Sequence, residues 1–301
     1  MPEPGRRVTV EVAGRRLSVS NLDKVLYPAT ETTKGEILNY YARIGPVLLA
    51  HLARRPVTRI RYPNGVDAGS FFEKNLPAGA PDWLPSVTIG HKSDRITYPL
   101  VTGLDALTYL VNLASLELHV PQWQVDGDGR PVNPDRLVVD LDPGPGAGLR
   151  ECSMVALMVR ARLADIGLHP VPVTSGSKGM QVYAALPGTH SSDDMSALAQ
   201  QLAKELTAEN PDLVVWRMTK SLRPGKVFLD WSQNVAAKTT ISPYSLRARV
   251  APYVATPRHW EEVERAVAEG SLEHATLDEV LERIDRHGDL AEPLLAAPGG
   301  A

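Results

Sequence analysis

The chain opens on strict alternation. Val8, Val10 and Val12, then Leu17 and Val19, alternate with polar residues around Ala13-Gly14 in RRVTVEVAGRRLSVSN (6–21). Such a pattern about a short turn predicts a β-hairpin. The period then changes. In TTKGEILNYYARIGPVLLAHLA (32–53), Ile37, Tyr40, Tyr41, Ile44 and Leu48 recur at helical spacing. Thr33, with Glu36 three residues on, has the makings of a capping box at the start of that helix. A stretch rich in Pro, Gly and aromatics, reaching to about residue 86, reads as loop. Residues 103–116 read as a second helix and LELHVPQWQV (116–125) as a strand.

Strands and helices then alternate. Strand 136–141 precedes helix 149–166, and strand 169–174 leads through SGSKG into strand 180–186. Helix 191–208 follows, then strands at 212–217 and 226–231, and two short helices within 257–287. The order predicts a mixed α/β chain with antiparallel hairpins rather than a doubly wound parallel sheet. No internal repeat is present. Neither GxGxxG nor GxxxxGK[ST] follows a strand, so the usual dinucleotide and P-loop fingerprints are absent.

Composition adds little to that picture: 43% hydrophobic and 22% charged residues over 301 positions are ordinary for a globular chain. No apolar run approaches the ~20 residues of a membrane span, and the N-terminus lacks a signal-peptide core, so a cytoplasmic protein is expected. A single cysteine, Cys152, rules out an internal disulfide or a cysteine-rich zinc site. The net charge of −3 argues against a polycation wrapped on nucleic acid. Two basic runs stand out, Arg54, Arg55, Arg59 and Arg61, and RMTKSLRPGK (217–226). Each fits a solvated face or a local phosphate site.

The chemistry concentrates in four segments. RLVVDLDPGPG (136–146) sets Asp140 and Asp142 at the end of an apolar strand, two residues apart and so on one face. Alone, the pair fits a strand end capping the next turn as well as a pair of oxygen ligands for a divalent cation. VFLDWSQN repeats the apolar-then-acid layout and supplies a third carboxylate, Asp230, and three such strand ends suit a two-metal site for phosphoryl transfer. Between them, TSGSKGMQVY (174–183) offers a small-residue loop with one lysine, fit either for a plain turn or for a phosphate chain. Lys220, Arg223 and Lys226 precede Asp230, and Gln233 follows it. Phe71 and Phe72, two of only three phenylalanines, stand in GSFFEKNLP beside Lys74, a composition that suits base stacking or a small satellite core.

Taken together, DLDPG, TSGSKG, MTKSLRPGKVFLDWSQN and KTTISPYSLRAR (238–249), in this order, resemble the polymerase domain of bacterial end-joining ligase D. That domain belongs to the archaeo-eukaryotic primase superfamily, with the free-standing actinobacterial primase-polymerases. The resemblance runs from NLDKVLYPAT to RIDRHGDL. It implies an α+β fold with an RRM-like mixed sheet, flanking helices and an N-terminal α/β module. The whole of 1–301 would be one unit, with a DNA- and 5′-phosphate-binding part (1–100), a catalytic core (101–255) and a helical tail (256–301).

The resemblance also assigns roles. Asp140, Asp142 and Asp230 would bind two ions of Mn²⁺ or Mg²⁺. Ser175, Lys178, Arg223, Gln233 and Arg247 would hold a nucleoside triphosphate, ribo- or deoxyribo-, with His119 in the nucleotide pocket. Lys24 and Lys34 would grip the 5′-phosphate across a gap, and Phe71 and Phe72 would stack near the templating base. The implied activity is template-dependent gap filling in DNA repair, with ribonucleotides preferred. Gapped or broken duplex DNA, a separate DNA ligase and Ku would be the partners, at the nucleoid. A chain that starts at Met1 and carries no ligase or nuclease segment fits a free-standing member. Two departures stand out: Gln181 occupies the place of a family histidine, and Ile60 that of a basic residue. An end-binding, ligase-recruiting module, a de novo primase and a phosphohydrolase are the rival readings.

Overall fold

The computed structural model describes residues 7–90 and 94–295; Arg6, where the predicted hairpin begins, and both ends of the 1–301 unit lie outside them. The hairpin forms from Arg7–Val12 and Arg15–Ser20, with Ala13 and Gly14 both at positive φ in the turn. Helix α1 (Lys34–Leu52) starts at the predicted capping box. Glu36 N–H donates to Thr33 Oγ1 at 3.3 Å, and Thr33 N–H donates to Glu36 Oε2 at 2.7 Å.

Four sequence expectations change between residues 54 and 125. The stretch read as loop contains two short paired strands, Thr58–Arg61 and Phe71–Glu73, each too short to register a period. Helix α2 (Leu104–Asn112) ends four residues early, where Ala114 takes the left-handed conformation and turns the chain into strand Ser115–Val120. The strand expected over 116–125 breaks at Pro121 and resumes at Trp123–Val125, because proline offers no N–H to a ladder. The first basic run is not a surface patch. Arg55 and Arg59 are 1% and 0% exposed. They pair with Asp135 at 2.5 Å and with Glu73 at 3.0 Å, respectively.

Two sheets organise the rest. The larger has six strands in the order Val214–Val215, Val227–Asp230, Arg136–Pro143, Met180–Ala185, Pro170–Thr174, Thr256–Pro257. Its one parallel pair joins Val214–Val215 to Val227–Asp230. Leu137, Val139 and Leu141, with Met180, Val182, Leu229 and their neighbours, pack against α3 (Leu149–Asp165) and α4 (Ser192–Glu209). Period-2 alternation therefore turns Val138, Asp140 and Asp142 to the opposite face. The strand extends to Pro143, past the predicted end, so both aspartates are strand residues.

The smaller sheet runs Thr240–Ile241, Ser115–Val120, Thr58–Arg61, Phe71–Glu73. Leu116, Leu118 and Val120 join α1 and α2 in a core that reaches from Leu26 to Leu294 and takes in Val138 and Tyr183 of the larger sheet. The predicted tail helices are α5 (Trp260–Glu269) and α6 (Leu277–His287). Tyr40 Oη donates to Tyr244 O at 2.8 Å and Tyr41 Oη accepts from Leu246 N–H at 3.0 Å, so α1 fixes the ISPYSLRAR segment against the smaller sheet.

Candidate active site

Pairing of the larger sheet brings the predicted carboxylates together. Asp140 lies directly opposite Asp230 on one neighbouring strand and opposite Gln181 on the other, and Asp142 follows two residues on, across from Phe228. The shared site is costly. Asp140 is pushed well above the usual carboxylate range, first by burial and then by the charges of Asp142 and Asp230, against a hydrogen bond from Gln181. Burial and Asp230 also raise Asp142, against Arg223, Arg247 and Lys178. Asp230 caps the turn Trp231–Asn234. Its Oδ1 accepts from Ser232 N–H at 3.1 Å and Ser232 Oγ–H at 2.5 Å, and its Oδ2 accepts from Gln233 Nε2–H at 2.9 Å.

Hard oxygens crowded at a raised pKa fit a divalent cation, whose charge would relieve the repulsion. Among the described residues no three His, Cys, Asp or Glu side chains already form a metal-holding group. Gln181, which occupies the place of a family histidine, is buried against Asp140, and Tyr183 Oη–H donates to its Oε1 at 3.1 Å.

The small-residue loop is fastened from several sides. Ser175 N–H donates to Gly179 O at 2.9 Å and Ser177 N–H donates to Ser175 Oγ at 3.3 Å, while Lys178 is exposed at the tip. Gly176 sits at φ +68° beneath Arg247, where a Cβ would stand 2.8 Å from that arginine's Cγ. At Gly179 a Cβ would stand 1.9 Å from the Leu141 carbonyl oxygen, so only glycine lets the loop return against the aspartate strand. The second basic run docks on the same place: Gly144 N–H donates to Lys226 O and Gly225 N–H donates to Pro145 O, both at 2.8 Å. Arg223 holds its guanidinium 3.7 Å over the Phe228 ring and donates to Met218 O at 3.0 Å. The Nε groups of Arg223 and Arg247 are buried without a partner, as are those of Arg55, Arg59, Arg136 and Arg283.

His119 faces the same region from the smaller sheet. Its Nε2 lies 2.9 Å from Glu117 Oε2, and Arg247 Nη1 lies 3.6 Å from the same oxygen. Burial opposes the charge on Glu117, but the His119 hydrogen bond and the Arg247 charge hold its carboxyl down at about 2. Sequence reading passed over Glu117, although it stands two residues from His119 and therefore on its face of the strand. It also passed over Lys238, whose Nζ donates to Ser232 Oγ and lies 3.9 Å from Asp230 Oδ2.

The remaining candidates form separate groups. Lys34 Nζ donates to Ser20 O at 2.6 Å and to Asn112 Oδ1 at 2.7 Å. Burial, with the charge of Lys24 next, pushes it down to about 8. Lys24 Nζ donates to Pro63 O at 2.5 Å and Asn64 Oδ1 at 3.3 Å. Phe71 and Phe72, on an edge strand, are 53% and 61% exposed, and Phe72 stands opposite Ile60. Aromatic side chains of that size left in water on an edge suit a stacking partner rather than a core.

Comparison with known proteins identifies the family. The family described as LigD, primase-polymerase domain, matches residues 33–291. The chain is 51% identical over 280 residues to the multifunctional non-homologous end joining protein LigD of Mycolicibacterium smegmatis, covering 93% of this chain and 36% of that protein. With the bifunctional LigD of Bacillus subtilis it shares 32% over 274 residues, or 91% of this chain and 43% of that one. The chain thus spans well under half the length of these relatives. Among solved structures, the polymerase domain of Mycobacterium tuberculosis ligase D in complex with DNA superposes with a TM-score of 0.89 at 49% identity, over 93% of this chain and 98% of that one. The fold is thus the α+β fold of the archaeo-eukaryotic primase type. No helix among the described residues is long and apolar enough to cross a membrane. The chain belongs to the LigD primase-polymerase domain family, a family of nucleotidyltransferases.

Proposed function

We propose that the chain is a template-dependent polymerase of DNA repair that adds one or a few nucleotides, ribonucleotides by preference, to a 3′-hydroxyl at a short gap or broken end. One observation carries this reading: Asp140 and Asp230 face each other on paired strands, with Asp142 beside them and Lys178, Arg223 and Arg247 close enough to act on its charge. Asp140, Asp142 and Asp230 would hold two divalent cations, Mn²⁺ or Mg²⁺. Such ions, when bound, acidify the attacking hydroxyl and neutralise charge developing on the phosphates.

The protein's own part is positioning. The Ser175–Gly179 loop, Lys178, Arg223 and Arg247 bind and orient the triphosphate, and His119 meets the nucleotide beside them. Gln233 and Ser232 hold the Asp230 carboxylate in place. Phe71 and Phe72 stack near the template, and Lys24 and Lys34 receive the downstream 5′-phosphate. A bound phosphate would offset the burial, and after it the Lys24 charge, that now lower Lys34. The DNA in the mycobacterial neighbour and the end-joining role of the relatives support broken or gapped duplex as partner. A separate ligase and Ku would act beside it, in the cytoplasm at the nucleoid.

The test is primer extension with Mn²⁺ on a gapped duplex, with and without the 5′-phosphate. Templated addition should be faster on the phosphorylated gap. Lys34→Glu should erase that preference, a loss of about tenfold or more for a charge-assisted contact. Equal discrimination by the variant would remove the lysine pair from the reading. Release of free phosphate without a template would replace it with a hydrolase.

A further inference from the structure

Glu117 is a buried acid, 3% exposed, on the same face of the Ser115–Val120 strand as His119. A carboxylate in that position must be matched by donors or it would cost several kcal/mol. Its Oε1 accepts from Ala248 N–H at 3.0 Å. Its Oε2 serves two side chains at once, His119 Nε2 at 2.9 Å and Arg247 Nη1 at 3.6 Å. A purely structural tie would need only the backbone contact. The other oxygen is given to the two groups, on two separate segments, that the proposed function places on the nucleotide.

We infer that Glu117 is a positioning residue for nucleotide binding, fixing through one carboxylate oxygen both the ring orientation of His119 and the guanidinium of Arg247. With Nε2 directed at Glu117, Nδ1 is the His119 nitrogen left to meet a nucleotide. Arg247 is held from several directions. Its carbonyl accepts from Tyr27 Oη–H at 3.0 Å and its N–H donates to Tyr253 O at 2.7 Å, so Glu117 fixes the head of a side chain whose backbone is already tied. The unpartnered Nε of Arg247 then remains for an anion rather than for the protein. Glu117 touches no substrate in this arrangement; it acts through its two neighbours, as outer-layer carboxylates do for metal-bound histidines.

This inference rests on the proposed nucleotidyl transfer, and the experiment separates the two. Glu117→Gln keeps the volume and an acceptor for Ala248 N–H but removes the charge. Steady-state extension of a gapped primer should show KM for the nucleotide raised about tenfold with kcat changed far less. Calorimetric titration of GTP with Mn²⁺ should show the same loss of affinity without any turnover. Combined with His119→Ala, the substitution should cost less than the product of the two separate effects, because both disable one unit. An unchanged KM and affinity, or fully multiplicative effects in the pair, would overturn the positioning role while wild-type extension upholds the polymerase reading. Absence of templated extension by the wild type would overturn both.

Discussion

At the scale of single residues, the carboxylate site is built against stability. Asp142 ionises with difficulty in the folded chain because burial and Asp230 oppose it. A carboxyl whose folded pKa lies above its unfolded value stabilises the fold fully only below the unfolded value, about 4 for aspartate, and loses that contribution as pH rises through the raised one. At pH 7 in a chelator, Asp142→Asn should therefore melt higher than the wild type, by about 2 °C or more. The gain should vanish below about pH 4, and Mn²⁺ should raise the wild-type midpoint more than the variant's. A lower midpoint for Asp142→Asn at pH 7 would mean that the pair is not repulsive. Asp140, Asp142 and Asp230 were legible as a set because each follows an apolar strand run. Glu117, buried on the same strand as His119, was not, since one acid in LELHVP looks like any polar residue on an alternating strand. Its meaning comes from Arg247, 130 residues away in sequence but 3.6 Å away in space.

At the scale of elements, the helices and most strands were readable, and the two brief strands inside the stretch read as loop were not. The hairpin, α1 with its cap, and α3 through α6 follow from periodicity and capping residues alone. The strands Thr58–Arg61 and Phe71–Glu73 were hidden because their pairing, not their sequence, defines them. The basic run Arg54–Arg61 misled for the same reason: what makes Arg55 and Arg59 core residues is the distant Asp135 and the facing Glu73. The small-residue loop was read correctly as a loop, but its glycines have a sharper use than flexibility. Gly179→Ala would drive a Cβ into the Leu141 carbonyl at 1.9 Å. Backbone must move to admit it, so urea denaturation should show a loss of about 2 kcal/mol or more, with extension impaired beyond what the residual folded fraction explains. A variant with wild-type stability and rate would show that the loop does not need its close return against the aspartate strand.

At the scale of the molecule, two sheets contribute to one candidate site. The larger turns Asp140, Asp142 and Asp230 toward it and buries its other face under α3 and α4. The smaller turns Glu117 and His119 toward it and buries its other face under α1 and α2. The ISPYSLRAR segment, pinned to α1 by Tyr40 and Tyr41, carries Arg247 between them. Composition could not have shown this, because a net charge of −3 hides a local arrangement in which cations surround paired acids. The measurement that tests the central claim most directly is single-turnover incorporation of one templated nucleotide at a primed gap with Mn²⁺, comparing the wild type with Asp140→Asn and Asp142→Asn. Each variant should stay folded by its melting curve and lose at least about a thousandfold in rate, the scale on which removal of a charge-stabilising group acts. Incorporation at the wild-type rate by either folded variant would contradict the assignment of this site as the centre of nucleotidyl transfer.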